Sequence, residues 1–154
     1  MERIYGLVID ASGNYYASSS ENNNRKIYKR TSGGTVTSIG DGDYGNFTTS
    51  PSTGSSSYFK EIRDMDIDSS GKIYFIDQNA IRMMDPSNER IYYIAGDNDW
   101  SDSMVPSGGA AAVNSTDARF RYPKGIAVNS AGTIIYVTDQ NVIKSKDVII
   151  QSGM

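Results

Sequence analysis

The chain has 154 residues, a formal net charge of −3, a pI near 4.9 and a mean hydropathy of −0.46. It contains no Cys and no His, which excludes disulfides, thiolate nucleophiles, zinc sites of the usual type and imidazole acid–base chemistry. The acidic balance opposes general nucleic-acid binding, which needs a basic field to displace counterions, and no apolar run approaches the ~20 residues that span a bilayer.

From the N-terminus, Met1-Glu-Arg-Ile lacks a charged-then-apolar leader pattern, so no export signal is expected; the sequence does not name the compartment, cytoplasmic or particle-associated. Glycine, Ser, Thr, Asn and Tyr are plentiful and favour strands and turns over helices. The first unit predicts strands over Arg3–Asp10, Asn14–Ser18, Lys26–Arg30 and Thr35–Ile39. A Gly/Ser/Thr-rich segment, 41–58, follows and is expected to be a loop. The second unit predicts Arg63–Asp68, Lys72–Asp77, Ala80–Asp85 and Glu89–Ala95, turned by Asp68-Ser-Ser-Gly71, Asp77-Gln-Asn79 and Asp85-Pro-Ser-Asn88. A second insert, 97–119, carries Trp100, and Asn114 or Ser115 is a candidate cap for one helical turn over Ser115–Phe120. The third unit predicts Lys124–Asn129, Thr133–Thr138, Val142–Lys146 and Val148–Gln151.

The three units share one sentence. It reads Leu7-Val-Ile-Asp10-Ala-Ser-Gly13-Asn-Tyr-Tyr16, Met65-Asp-Ile-Asp68-Ser-Ser-Gly71-Lys-Ile-Tyr74 and Ile126-Ala-Val-Asn129-Ser-Ala-Gly132-Thr-Ile-Ile-Tyr136, spaced by 58 and then 61 residues. A period of this size built from short strands signals a repeat architecture. The chain is therefore expected to be one all-β domain of three four-stranded meanders, over about 2–40, 59–96 and 120–152. Both inserts join the last strand of one unit to the first of the next, so both should emerge on the same face.

The stretch Ile94-Ala-Gly96, Ala118-Arg-Phe120-Arg-Tyr-Pro123-Lys-Gly125-Ile-Ala-Val-Asn129 and Gly132-Thr-Ile-Ile-Tyr136-Val-Thr-Asp139 resembles the NHL-repeat β-propeller family. The resemblance extends over nearly the whole chain and is weakest around 41–58. Unit two departs from the pattern with Ile62-Arg-Asp64 where Pro-x-Gly is expected, and unit three has Asn129 for the Asp. The resemblance implies a ring, mostly of six blades, so three units would form half of one. One twisted sheet cannot bury its apolar faces alone, and three stacked sheets leave two terminal faces uncovered. A second copy closing the ring about a twofold axis would cover both, as a homodimer; a fragment of a longer propeller and other symmetries are the alternatives.

Candidate chemistry is sparse. Asp10, Asp68 and Asn129, with Gly13, Gly71 and Gly132, read as structural turns: the Asx side chain accepts backbone N–H groups and Gly supplies a positive φ. Asp64 and Asp66 replace Gly6 and Val8 of unit one and Gly125 and Ala127 of unit three. On an innermost strand they are the candidate metal ligands, for calcium if any cation, with pairing of Asp64 to Arg63 or Lys60, or its solvation in the channel, as the bland alternative. No cofactor is otherwise expected. Asp41, Asp43, Asp97, Asp99 and Asp102 give an incomplete calcium-loop spacing. Arg25-Lys26 and Lys29-Arg30 form the one basic cluster and read as a solvated hairpin, although related propellers hold RNA on a basic face. Propeller lyases and lactonases share the resembled fold, but their chemistry leans on a metal with His, Asn and Glu that a His-free chain cannot match. The expected role is a non-enzymatic binding or scaffolding module with a protein or glycan partner, contacted by Tyr44, Phe47, Asp99, Trp100 and Asp102. A metal-dependent hydrolase or lyase and an RNA-binding domain stand as alternatives.

Overall fold

The structure, a computed structural model, describes residues 4–21, 24–42, 51–96, 120–139 and 142–147. The first sheet is an antiparallel meander of β1 (Ile4–Ile9), β2 (Tyr15–Glu21), β3 (Asn24–Arg30) and β4 (Val36–Gly42). A short strand, β5 (Ser52–Thr53), precedes β6 (Ile62–Ile67), β7 (Ile73–Asp77), β8 (Ala80–Asp85) and β9 (Arg90–Gly96), and the second sheet runs in the order β5-β9-β8-β7-β6. The third holds β10 (Pro123–Val128), β11 (Ile134–Asp139) and β12 (Val142–Asp147). The predicted Val148–Gln151 strand and Ser115–Phe120 turn fall on residues outside those described, Phe120 excepted. Among the described residues, no helix is long and apolar enough to cross a membrane.

The sheets stack face to face, and side-chain alternation divides the apolar residues into two layers. Ile73 and Phe75 of β7, with Met84 and Ile91, meet Val8, Tyr16, Ile27 and Ile39 of the first sheet. Tyr74 and Ile76 point the other way and meet Ile126, Ile135 and Val137 of the third. The run Ile73-Tyr-Phe-Ile76 is therefore apolar at every position because both of its faces are covered. Each such side chain contributes roughly 1.5–3 kcal/mol on burial.

Two segments differ from the sequence expectation. Residues 19–25 were expected between strands, but the hairpin pairing continues to Glu21↔Asn24. Part of the 41–58 segment is structured: Ser52 and Thr53 pair with Ile91 and Arg90, a single 3-10 turn spans Gly54–Ser56, and Asp41 N–H donates to the Ser57 carbonyl at 2.9 Å. The segment thus ties β4 of the first sheet to β9 of the second. Gly40 makes room at that junction: it holds φ +112, and a Cβ there would lie 2.5 Å from the Phe59 ring.

Candidate functional site

Each first hairpin turns on a single side-chain oxygen. Asp10 Oδ1 accepts the N–H groups of Ser12 and Asn14, both at 2.9 Å. Asp68 Oδ1 accepts those of Ser70 and Lys72 at 2.9 and 3.0 Å, and Asn129 Oδ1 those of Thr133 and Ile134 at 2.8 and 2.9 Å. Gly13, Gly71 and Gly132 take φ of +76, +86 and +68, a region in which a Cβ is strained. In the two aspartate turns the second carboxylate oxygen faces a tyrosine: the hydroxyls of Tyr16 and Tyr74 donate to Asp10 and Asp68 at 3.4 and 3.1 Å. Burial, then the neighbouring Asp10 carboxylate, pushes the Tyr16 hydroxyl up to about 12. Burial and Asp68 push Tyr74 up likewise. Burial pushes the Asp10 carboxyl up, but the hydrogen bonds from Asn14, Ser12 and Tyr16 outweigh it and hold the group below its usual value.

The second and third turns also dock on each other. Ser69 donates to the Ser130 carbonyl from both N–H (3.0 Å) and Oγ (2.7 Å), and the Tyr74 hydroxyl lies 3.4 Å from the Gly132 carbonyl. A Cβ on Gly132 would stand 2.3 Å from Asp68 Oδ2, whereas one on Gly71 would meet nothing within 4 Å.

Asp64 and Asp66 bind the main chain of the neighbouring sheet. Asp64 Oδ2 accepts the Ile126 N–H at 2.9 Å, and Asp66 Oδ2 the Val128 N–H at 2.7 Å. Asp66 Oδ1 takes the N–H of Ile67 at 2.9 Å. The carboxylates thus satisfy donors on the open edge of β10. The alternative pairing of Asp64 with Arg63 does not form: Arg63 pairs instead with Glu61 at 2.8 Å, and its guanidinium donates to the carbonyls of Gln78 and Pro123 at 3.1 and 3.2 Å. Among the described residues, no group of three or more acidic side chains is arranged to hold a metal ion.

One buried pair escaped the sequence reading. Asp77 Oδ1 accepts the N–H groups of Lys60 and Glu61 at 2.7 and 2.8 Å, while its Oδ2 receives Arg82 at 2.8 Å. Arg82 also donates to the Tyr58 carbonyl at 2.7 Å and stacks against Phe59 and Phe75, 5.2 and 5.8 Å from their centroids. Burial pushes its guanidinium down and Asp77 opposes that. Asp139 repeats the anchor by accepting the N–H groups of Arg121 and Tyr122 at 3.0 and 2.8 Å. The signal was in the sequence: Asp77 and Asp139 each follow a tyrosine, Tyr74 or Tyr136, by three residues.

The terminal faces differ from the interior ones in a regular way. Strand pairing makes Leu7↔Ala17, Met65↔Phe75 and Ile126↔Val137 equivalent, and likewise Val8↔Tyr16, Asp66↔Tyr74 and Ala127↔Tyr136. Met65 and Ile126 are 5% and 8% exposed beneath the preceding sheet, but Leu7, with no described sheet before it, is 61% exposed. Tyr16 and Tyr74 are 1% and 0% exposed beneath the following sheet, but Tyr136 is 44% exposed. Ile9, Tyr15 and Val36 are exposed alongside Leu7. Tyr44, Phe47, Asp99, Trp100 and Asp102 lie outside the described residues, as do Asp43 and Asp97.

The family model described as the teneurin NHL domain matches residues 52–152. Mouse Teneurin-3 is 35% identical over 81 residues, a match covering 53% of this chain and 3% of that protein. Among solved structures, a chain of a nidogen/laminin complex superposes with a TM-score of 0.61 at 15% identity, over 95% of this chain and 44% of its own. A gluconolactonase from Xanthomonas campestris gives 0.58 at 10% identity, over 97% of this chain and 39% of its own. The fold is thus shared by binding proteins and enzymes, and the chain spans under half the length of these propellers.

Proposed function

The chain belongs to the teneurin NHL-domain family, and from that membership we propose that it is a non-enzymatic binding and scaffolding module. It forms half of a six-bladed ring, self-associates with a second copy to complete that ring, and presents the 41–58 and 97–119 inserts to a protein or glycan partner. The observation that carries this reading is the exposure of Leu7 and Tyr136 at positions whose equivalents are buried. Open apolar sheet faces of this kind mark association surfaces.

A hydrolase or lyase reading has the shared fold in its favour and no more. Asp64 and Asp66, its candidate ligands, spend carboxylate oxygens on main-chain donors. RNA binding sits poorly with a net charge of −3.

Light scattering of the purified chain tests the association: twice 16.8 kDa at micromolar concentration is expected, and a stable mass of one chain overturns it. For the partner face, the lone Trp100 is the reporter. A change in its fluorescence is expected on adding the recognised member of a glycan or protein panel, and an unchanged signal across the panel counts against that face.

A further inference from the structure

Resting on that self-association, we infer that the two copies meet head to tail: the open face of the third sheet, centred on Tyr136, seats on the open face of the first sheet of the other copy, formed by Leu7, Ile9, Tyr15 and Val36. The molecule contains this contact twice already. At both internal junctions the tyrosine opposite the second-to-last residue of the first strand, Tyr16 or Tyr74, is buried against the next sheet. The receiving residues follow one register. In the second sheet they form the cross-strand row Ile67, Ile73, Met84 and Ile91, all packed in the first apolar layer. The same row in the first sheet is Ile9, Tyr15, Arg30 and Val36, and it has no described sheet upon it.

The partner that fits such a row is another blade of this repeat, offering a tyrosine at this position. The third sheet offers that: Tyr136 pairs with Ala127, and both are exposed. Arg30 replaces the apolar Met84 in the receiving row, and its guanidinium lies 5.8 Å from the Tyr15 ring centroid. The aromatic face carries that cation at the rim while Leu7, Ile9 and Val36 supply the apolar contact. Head-to-tail seams form a closed ring only if the rotation per copy completes a circle. Two copies of three blades close it with two identical seams, so each copy gives one face and receives one.

The wild-type chain and two charged variants decide the arrangement. Leu7→Lys and Tyr136→Asp are each expected to raise the dimer Kd roughly ten-fold or more, since both seams of each homodimer then set a charge against an apolar face. Mixed in equal amounts, they are expected to recover the dimer, because the heterodimer has one native seam and one with Lys opposed to Asp. Leu7→Ala and Tyr136→Ala add no charge and are expected to weaken the dimer in the same direction by less. Circular dichroism matching wild type shows that each variant retains its sheets. A dimer broken by substitution at one face only means like faces meet, and the head-to-tail seam is wrong. A dimer broken by both variants with no recovery on mixing also overturns it. A wild-type chain of single mass removes the underlying association itself, so the two failures are told apart.

Discussion

Asp66 and Val128 join adjacent sheets through one hydrogen bond, main-chain N–H to carboxylate oxygen, at 2.7 Å. Asp64 makes the same connection to Ile126 one pleat away. Two carboxylates that resemble ion ligands in the sequence therefore hold the first strand of one sheet against that of the next. Asp66→Ala leaves the partly buried Val128 N–H without its acceptor, and a loss of about 1–2 kcal/mol is expected. Asp66→Asn keeps an acceptor oxygen and should lose less. Urea unfolding with an unchanged m-value reads the difference, and a midpoint for Asp66→Ala equal to wild type would show that water serves Val128 as well.

How much of this was visible beforehand depends on the range of the interaction. The hairpin turns are local: an Asx residue, a glycine three positions on and a flanking aromatic specify Asp68, Gly71 and Tyr74 within a few residues. The both-face burial of β7 was not read from the sequence, although its unbroken Ile73-Tyr-Phe-Ile76 run carries the signal. The partner of Asp66, by contrast, lies 62 residues away. Its acceptor role depends on the stagger between two sheets, which no alternation pattern within either one encodes. β5 was hidden for another reason. Ser52 and Thr53 carry no apolar alternation, and what orders them is pairing to β9 together with the Ser52–Ser57 side-chain contact at 2.7 Å.

Gly71 and Gly132 occupy the same turn position and should respond differently to alanine. Both hold a positive φ, so each substitution incurs backbone strain of about 1–2 kcal/mol. At Gly71 that is the whole effect, because the added methyl meets open space. At Gly132 the methyl would lie 2.3 Å from Asp68 Oδ2 and 2.9 Å from the Tyr74 hydroxyl, so the docked turns must part. A total loss of about 3 kcal/mol is expected there. Equal thermal midpoints for Gly71→Ala and Gly132→Ala would mean that the turn-to-turn contact contributes nothing.

Arg82 and Asp77 form a buried ion pair with no exposed edge: the side chains are 2% and 0% accessible. Arg82→Met removes the cation and leaves the carboxylate supported only by two main-chain donors. Breaking one side of such a pair is expected to destabilise the fold by about 3–5 kcal/mol. Arg82→Met with Asp77→Asn removes both charges while an amide oxygen still accepts from Lys60 and Glu61. The double variant should therefore be more stable than Arg82→Met alone. A double-mutant cycle measured by urea unfolding checks this, and strict additivity of the two losses would contradict the coupling.

Alkali should weaken the fold through the buried tyrosines. Tyr16 has its hydroxyl raised from 10.0 to about 12 by burial and by Asp10, and Tyr74 is raised by burial and by Asp68. A folded-state value above the unfolded one means that the native chain keeps a proton the unfolded chain has lost. The stabilisation from Tyr16 is therefore complete below pH 10.0 and declines as pH rises toward about 12. Urea midpoints measured through that interval should fall with a slope that Tyr16→Phe makes shallower. Tyr74→Phe should act in the same direction, and it also removes the donor to Asp68 and the approach to the Gly132 carbonyl. An alkaline slope identical in wild type and in both phenylalanine variants would show that neither hydroxyl is held in its protonated form by the fold.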